Sequence, residues 1–77
     1  MNIKINCNDI KIAPYAKRFK TQRTNRYKKI GFIQVSFRDV SFDEKYNYVY
    51  NDKLCYLRFL DTSFEENYTR YEVREII

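Results

Sequence analysis

Apolar and polar residues alternate with a period of two along much of this chain, the pattern of strands with one buried face. Ile3, Ile5 and Cys7 alternate with Lys4 and Asn6, and after Asn8-Asp9 the pattern resumes with Ile10 and Ile12 around Lys11. Residues 2–12 therefore predict extended structure. It is either two short strands in a hairpin turning at Asn8-Asp9, or one strand with a bulge there. Gly31, the single glycine, reads as a break, and the clearest strand follows it: Ile33, Val35 and Phe37 alternate with Gln34, Ser36 and Arg38. The phase slips at Arg38-Asp39 before Val40 and Phe42, which predicts a bulge or bend. Tyr46, Tyr48 and Tyr50 form a further alternating run, and Asn51-Asp52-Lys53 supplies a turn. Leu54 to Leu60, apolar on both faces apart from Arg58, reads as a central strand, so residues 46–60 make the best hairpin in the chain.

Two segments depart from this period. Pro14 can open a helix, and Tyr15, Ala16 and Phe19 fall on one helical face. Residues 21–26 contain nothing apolar, so the pattern predicts a helix of about two turns followed by a basic loop. Ser63 with Glu66 fits a capping box and predicts a short helix from Phe64 to about Thr69, with Phe64 and Tyr68 on one face. Residues 70–77 fit a last strand or a continuing helix. The alternation Tyr71-Glu72-Val73-Arg74 favours the strand. The expected architecture is mainly β: a small antiparallel curled sheet or open barrel with one or two short helices. A sheet with a helix on one face, an α+β arrangement, is the alternative.

Length and composition fit one domain with a small core. The chain has 77 residues, of which 44% are hydrophobic and 18% aromatic, with 8 Tyr, 6 Phe and no Trp. Aromatic rings bury much area each, so few of them can build a core in a short chain. No stretch approaches the length that spans a bilayer, and the start carries no continuous apolar segment, so the expected location is cytoplasmic. The richness in Lys, Asn, Ile and Tyr is that of an AT-rich coding genome, phages included; a phage-encoded chain would act in the host cytoplasm.

Charge changes the picture most. The net charge is +5, but residues 1–38 hold ten Lys or Arg and one acid, whereas residues 39–77 hold five basic residues and nine acids. The basic half centres on residues 17–29, in which seven of thirteen residues are basic and none is acidic. No acid occurs between Asp9 and Asp39 to compensate it. A solvated loop, or pairing with the acidic second half, is the competing reading of the run.

Catalysis finds little support. The chain has no His, no glycine-rich phosphate loop and no Cys-x-x-Cys pair, so no metal, cofactor or enzymatic activity is expected. Asp43-Glu44 and Glu65-Glu66 read as solvated surface, because adjacent acids on a strand point to opposite faces. Cys7 and Cys55 each lie in alternating apolar runs and read as reduced core thiols.

The basic run suits phosphate recognition, for which Arg adds bidentate geometry and stacking. The candidate nucleic-acid-binding residues are Lys17, Arg18, Lys20, Arg23, Arg26, Lys28 and Lys29, with Tyr27 placed to stack on an unpaired base. Phe19 and Tyr27 could equally anchor the segment to the core. The stripe of Tyr46, Tyr48 and Tyr50 reads as a packed sheet face, and as a stacking platform only if exposed. The expected function is non-enzymatic binding of nucleic acid, RNA or single strands before duplex. The alternative is a small phage-type inhibitor or adaptor that binds a host protein such as a nuclease or defence factor. It would act by mimicry through Asp61, Glu65, Glu66, Glu72 and Glu75, or by docking the basic segment in an acidic groove. Exposed edge strands leave room for a homo-oligomer.

Overall fold

A computed structural model describes residues 3–13, 26–39 and 41–76 and turns the alternation into five strands. These are β1 (Lys11–Ile12), β2 (Tyr27–Ser36), β3 (Asn47–Tyr50), β4 (Lys53–Ser63) and β5 (Tyr68–Ile76). They form one curled, unclosed sheet of order β1-β3-β4-β5-β2, with every pairing antiparallel. The mainly β expectation holds, and β4 is the central strand of the order.

Register sorts the side chains. Cross-strand partners share a face, so Ile33, Tyr71 and Phe59 point one way, as do Gly31, Val73 and Leu57. Residues of this inner face build the core: Ile33, Cys55, Leu57 and Val73 are fully buried, and Tyr48 nearly so. The outer face carries the rows Lys29, Arg74, Tyr56, Asn47 and Phe32, Glu72, Arg58. Both strands flanking β5 carry an irregularity, β2 between Lys29 and Gly31 and β4 between Phe59 and Asp61. An extra residue bends a strand and raises its twist, which is how the sheet curls around its core.

The N-terminal stretch is neither a hairpin nor a single bulged strand. Its two arms go to opposite edges of the sheet. The Ile5 amide donates to the Phe32 carbonyl at 2.8 Å and the Phe32 amide donates to the Ile3 carbonyl at 3.0 Å, a parallel bridge on the free edge of β2. Beyond a 3-10 turn at Cys7–Asp9, β1 pairs with β3, and the Ala13 amide donates to the Asn47 carbonyl at 3.1 Å. The Asn6 side chain accepts from the Asn8 amide at 3.0 Å and caps the turn. Arms this short gain few ladder bonds from each other, while two sheet edges offer them unpaired partners. Ile5 and Ile10 are buried on the way and close over the core.

Two other expectations change, and a third resolves to one of its alternatives. Gly31 does not break the chain; it lies inside β2, where a Cβ would run into the Ile3 carbonyl oxygen and come within 2.7 Å of Ile5 Cδ1. The glycine is a close-approach position. Of the two readings at Arg38-Asp39, the bend holds and the bulge does not. β2 ends at Ser36, and the Asp39 amide turns back to the Ser36 carbonyl at 3.0 Å. The helix over 64–69 does not form. The Ser63 hydroxyl does accept from the Glu66 amide at 3.2 Å, but within the turn Phe64–Asn67 between β4 and β5. Asn67 adopts φ 59°, and the ladder continues through Ser63 and Tyr68. A helix there would give up those ladder bonds. The 3-10 turn is the one helical element among the described residues, and the helix expected from Pro14 to Lys20 lies outside them.

The hairpin at 46–60 forms as the pattern implies. Asn51 and Asp52 have φ of 50° and 61° and make a two-residue loop between Tyr50 and Lys53. Both left-handed residues match the strand twist. Residues 70–76 are strand.

Candidate functional site

β2 begins within the basic run, at Tyr27. Arg26 precedes the strand, and the alternation sets Tyr27 and Lys29 on the outer face and Lys28 on the other. All four are exposed. Lys17, Arg18, Lys20 and Arg23 lie outside the described residues.

Electrostatics separates the four. Lys29 places its ammonium 3.6 Å from the Glu72 carboxylate while its side chain stays 57% exposed. Arg26 and Lys28 make no ion pair with a described residue. Tyr27 is 43% exposed and rests on Arg74, whose guanidinium carbon lies 4.0 Å from the ring centroid. It also meets Tyr56 in a T-shaped contact, with centroids 6.0 Å apart. Such packing suits the ring quadrupole on both counts.

Arg74 is the fixed point of this cluster. Its Nη1 donates to the Tyr56 hydroxyl at 3.2 Å, and its Nε donates to the Glu72 carboxylate. Burial pulls the Arg74 pKa down, but the bonds to Tyr56 and Glu72 outweigh it and hold the group above its ordinary value. It is therefore always a cation. Glu72, itself buried, answers both Arg74 and Lys29. Arg58, one rung away on the same face and opposite Glu72, is exposed and makes no ion pair with a described residue.

Arg74 does not stand out in the sequence, and Arg58 stands out only as the charged residue in the apolar stretch Leu54 to Leu60; both belong to the acid-rich half. The alternation of β5 is the available signal. With Tyr71 and Val73 inward, Glu72 and Arg74 must point outward. Their meeting with Tyr27 depends on the β2–β5 register, which no local pattern encodes.

Part of the acidic half is answered from within. Asp61 takes two hydrogen bonds from Arg70, at 2.9 and 2.5 Å, which hold its carboxyl below the usual range. Glu75 lies 3.7 Å from the Lys53 ammonium. Glu65 and Glu66 are exposed in the β4–β5 turn. Asp43 and Glu44 do structural work: Asp43 accepts from the Lys45 amide at 2.8 Å and Glu44 from the Phe59 amide at 2.9 Å. The tyrosine stripe of β3 faces the core, with Tyr48 2% exposed and Tyr46 and Tyr50 half-buried. It is a packed sheet face. Tyr48 passes its hydroxyl to the Asp43 carbonyl at 3.0 Å and accepts from the Asp43 amide at 2.9 Å.

Both cysteines are free thiols, Cys55 buried and Cys7 half-buried. Among the described residues no group of three His, Cys, Asp or Glu is placed to hold a metal ion, and no helix is long and apolar enough to cross a membrane. No family model, curated protein or solved structure matches the chain.

Proposed function

We propose that this protein binds nucleic acid without transforming it, preferring RNA or other single strands. The observation that carries the reading is the unequal settlement of charge. Asp61, Glu72 and Glu75 each face a cation of the same chain, whereas Arg26 and Lys28 stand exposed and make no ion pair with a described residue. Cations left in this state are free to exchange their counterions for phosphates. Arg26, Lys28 and Lys29 continue a run that also holds Lys17, Arg18, Lys20 and Arg23, so several phosphates can be met in succession. Tyr27, among them, offers a ring to unpaired bases, which supports single strands over duplex.

The test is a salt titration. Affinity of the full chain for a labelled single-stranded oligonucleotide, read by fluorescence anisotropy, should fall linearly on a log–log plot. The double variant Arg26→Ala/Lys28→Ala should bind more weakly and give a shallower slope, with an unchanged circular dichroism spectrum. Equal affinity in that variant removes these cations from the reading, and no binding at low salt discards it.

A further inference from the structure

The outer sheet face holds more than the charge run requires. Phosphate binding needs mobile cations; it does not need a guanidinium locked beneath a tyrosine. Yet Arg74 is 7% exposed, fixed by Glu72 and Tyr56, and set against the Tyr27 ring. The ring it supports keeps 43% of its surface in water. A side chain held this way loses little further freedom when a planar ligand stacks on it, which is the physical content of pre-organisation. One rung along the same face, Arg58 is exposed and unanswered by a described carboxylate. The two oxygens of Glu72, the acid opposite it, go to Arg74 and Lys29.

We infer that the outer face of β2, β5 and β4 is the path of a single strand, with an unpaired base stacked on the open side of Tyr27 and a phosphate held by Arg58. Arg74 is then a positioning residue: it touches no ligand and sets the plane of the ring that does. The inference rests on the nucleic-acid reading and narrows it to unpaired bases, since a base inside a duplex has no free face to offer. The face suits this occupant by charge. Lys29, Arg58, Arg70 and Arg74 stand on it against Asp61 and Glu72.

The experiment compares two polyanions on the full chain: a single-stranded oligouridylate, and inorganic polyphosphate, which has charge and no bases. Tyr27→Leu should lower oligouridylate affinity about 5- to 100-fold at every salt concentration, the range expected for one stacked base, and leave polyphosphate affinity unchanged. Arg74→Lys, which keeps the charge and loses the plane, should do the same in smaller degree. A merely structural loss would weaken both ligands together. Arg58→Gln, at an exposed side chain, should reduce the salt slope for oligouridylate by about 0.7, one phosphate contact. It decides the matter if the Tyr27 variant fails to fold. Equal loss for both ligands in Tyr27→Leu, or an unchanged slope in Arg58→Gln, overturns this path while the basic run still binds. Wild-type protein that binds neither ligand overturns both the path and the reading beneath it. Wild-type protein that instead pulls down a nuclease-resistant protein partner through Tyr27 and Arg58 also overturns the path.

Discussion

The amide of Phe32 donates to the carbonyl of Ile3, so the N-terminal chain runs parallel to the edge of β2 with that carbonyl against Gly31, where the strand has no side chain. A methyl group there has nowhere to go, since one neighbour is backbone and the other is the buried Ile5. Gly31→Ala should destabilise the fold by about 1–3 kcal/mol, the usual cost of overpacking. Urea denaturation checks this, and a variant as stable as wild type would mean that the strap does not lie on β2.

Tyr48 holds the β2–β3 connection through its hydroxyl, which serves both the amide and the carbonyl of Asp43. Tyr48→Phe keeps the ring packed on Phe42 and removes both bonds. Leaving a part-buried amide unpaired should cost about 1–3 kcal/mol. Amide exchange at Asp43 should also quicken, which separates this effect from a general loss of stability.

The two thiols should react unequally. Burial, with Glu75 nearby adding to it, pushes the Cys55 thiol up to about 11, so almost none of it is thiolate at pH 8. Cys7 is half-buried at the surface turn. A thiol-specific chromogenic reagent at pH 8 should titrate one group in the native protein and two in denaturant. Two fast groups in the native state would contradict the burial of Cys55.

Acid should weaken the β4–β5 hairpin through Asp61. Its folded pKa lies below the unfolded value because Arg70 donates to the ionised form. The contribution is therefore present in full above the unfolded value of about 3.9 and is lost as pH falls through the folded one. Comparing wild type with Asp61→Asn, the stability gap should be small, should shrink with added salt because the pair is exposed, and should start to shrink below about pH 4 and close once pH has fallen through the folded pKa. A gap that persists at pH 2 would place the effect elsewhere.

Period-two alternation made most of the sheet legible. Ile33 and Val35, and Tyr71 and Val73, read as one-sided strands, and Cys55 and Leu57 as part of a strand apolar on both faces; all six lie in the core. Asn51-Asp52-Lys53 read as a turn; the loop takes Asn51 and Asp52, which tolerate the left-handed backbone it demands, and Lys53 opens β4. What local pattern missed was long-range. Ser63 and Glu66 carry a helix-start signal that is satisfied inside a turn, because the ladder on either side claims the flanking residues. Gly31 read as an interruption because its constraint comes from Ile3, 28 positions earlier in the chain. The basic run announced itself by composition. Arg74 and Arg58 did not, because only the pairing of β5 with β2 and β4 brings them to Tyr27 and to the same face.

One eleven-residue stretch, residues 3–13, guards both rims of the sheet, through Phe32 on one side and Asn47 on the other. A ribosome makes that stretch before it makes either strand the stretch must reach. During the interval the growing rims lie open, and a strand from a neighbouring chain finds the same vacant amides. Protection of those rims is thus acquired only when the stretch docks on both strands.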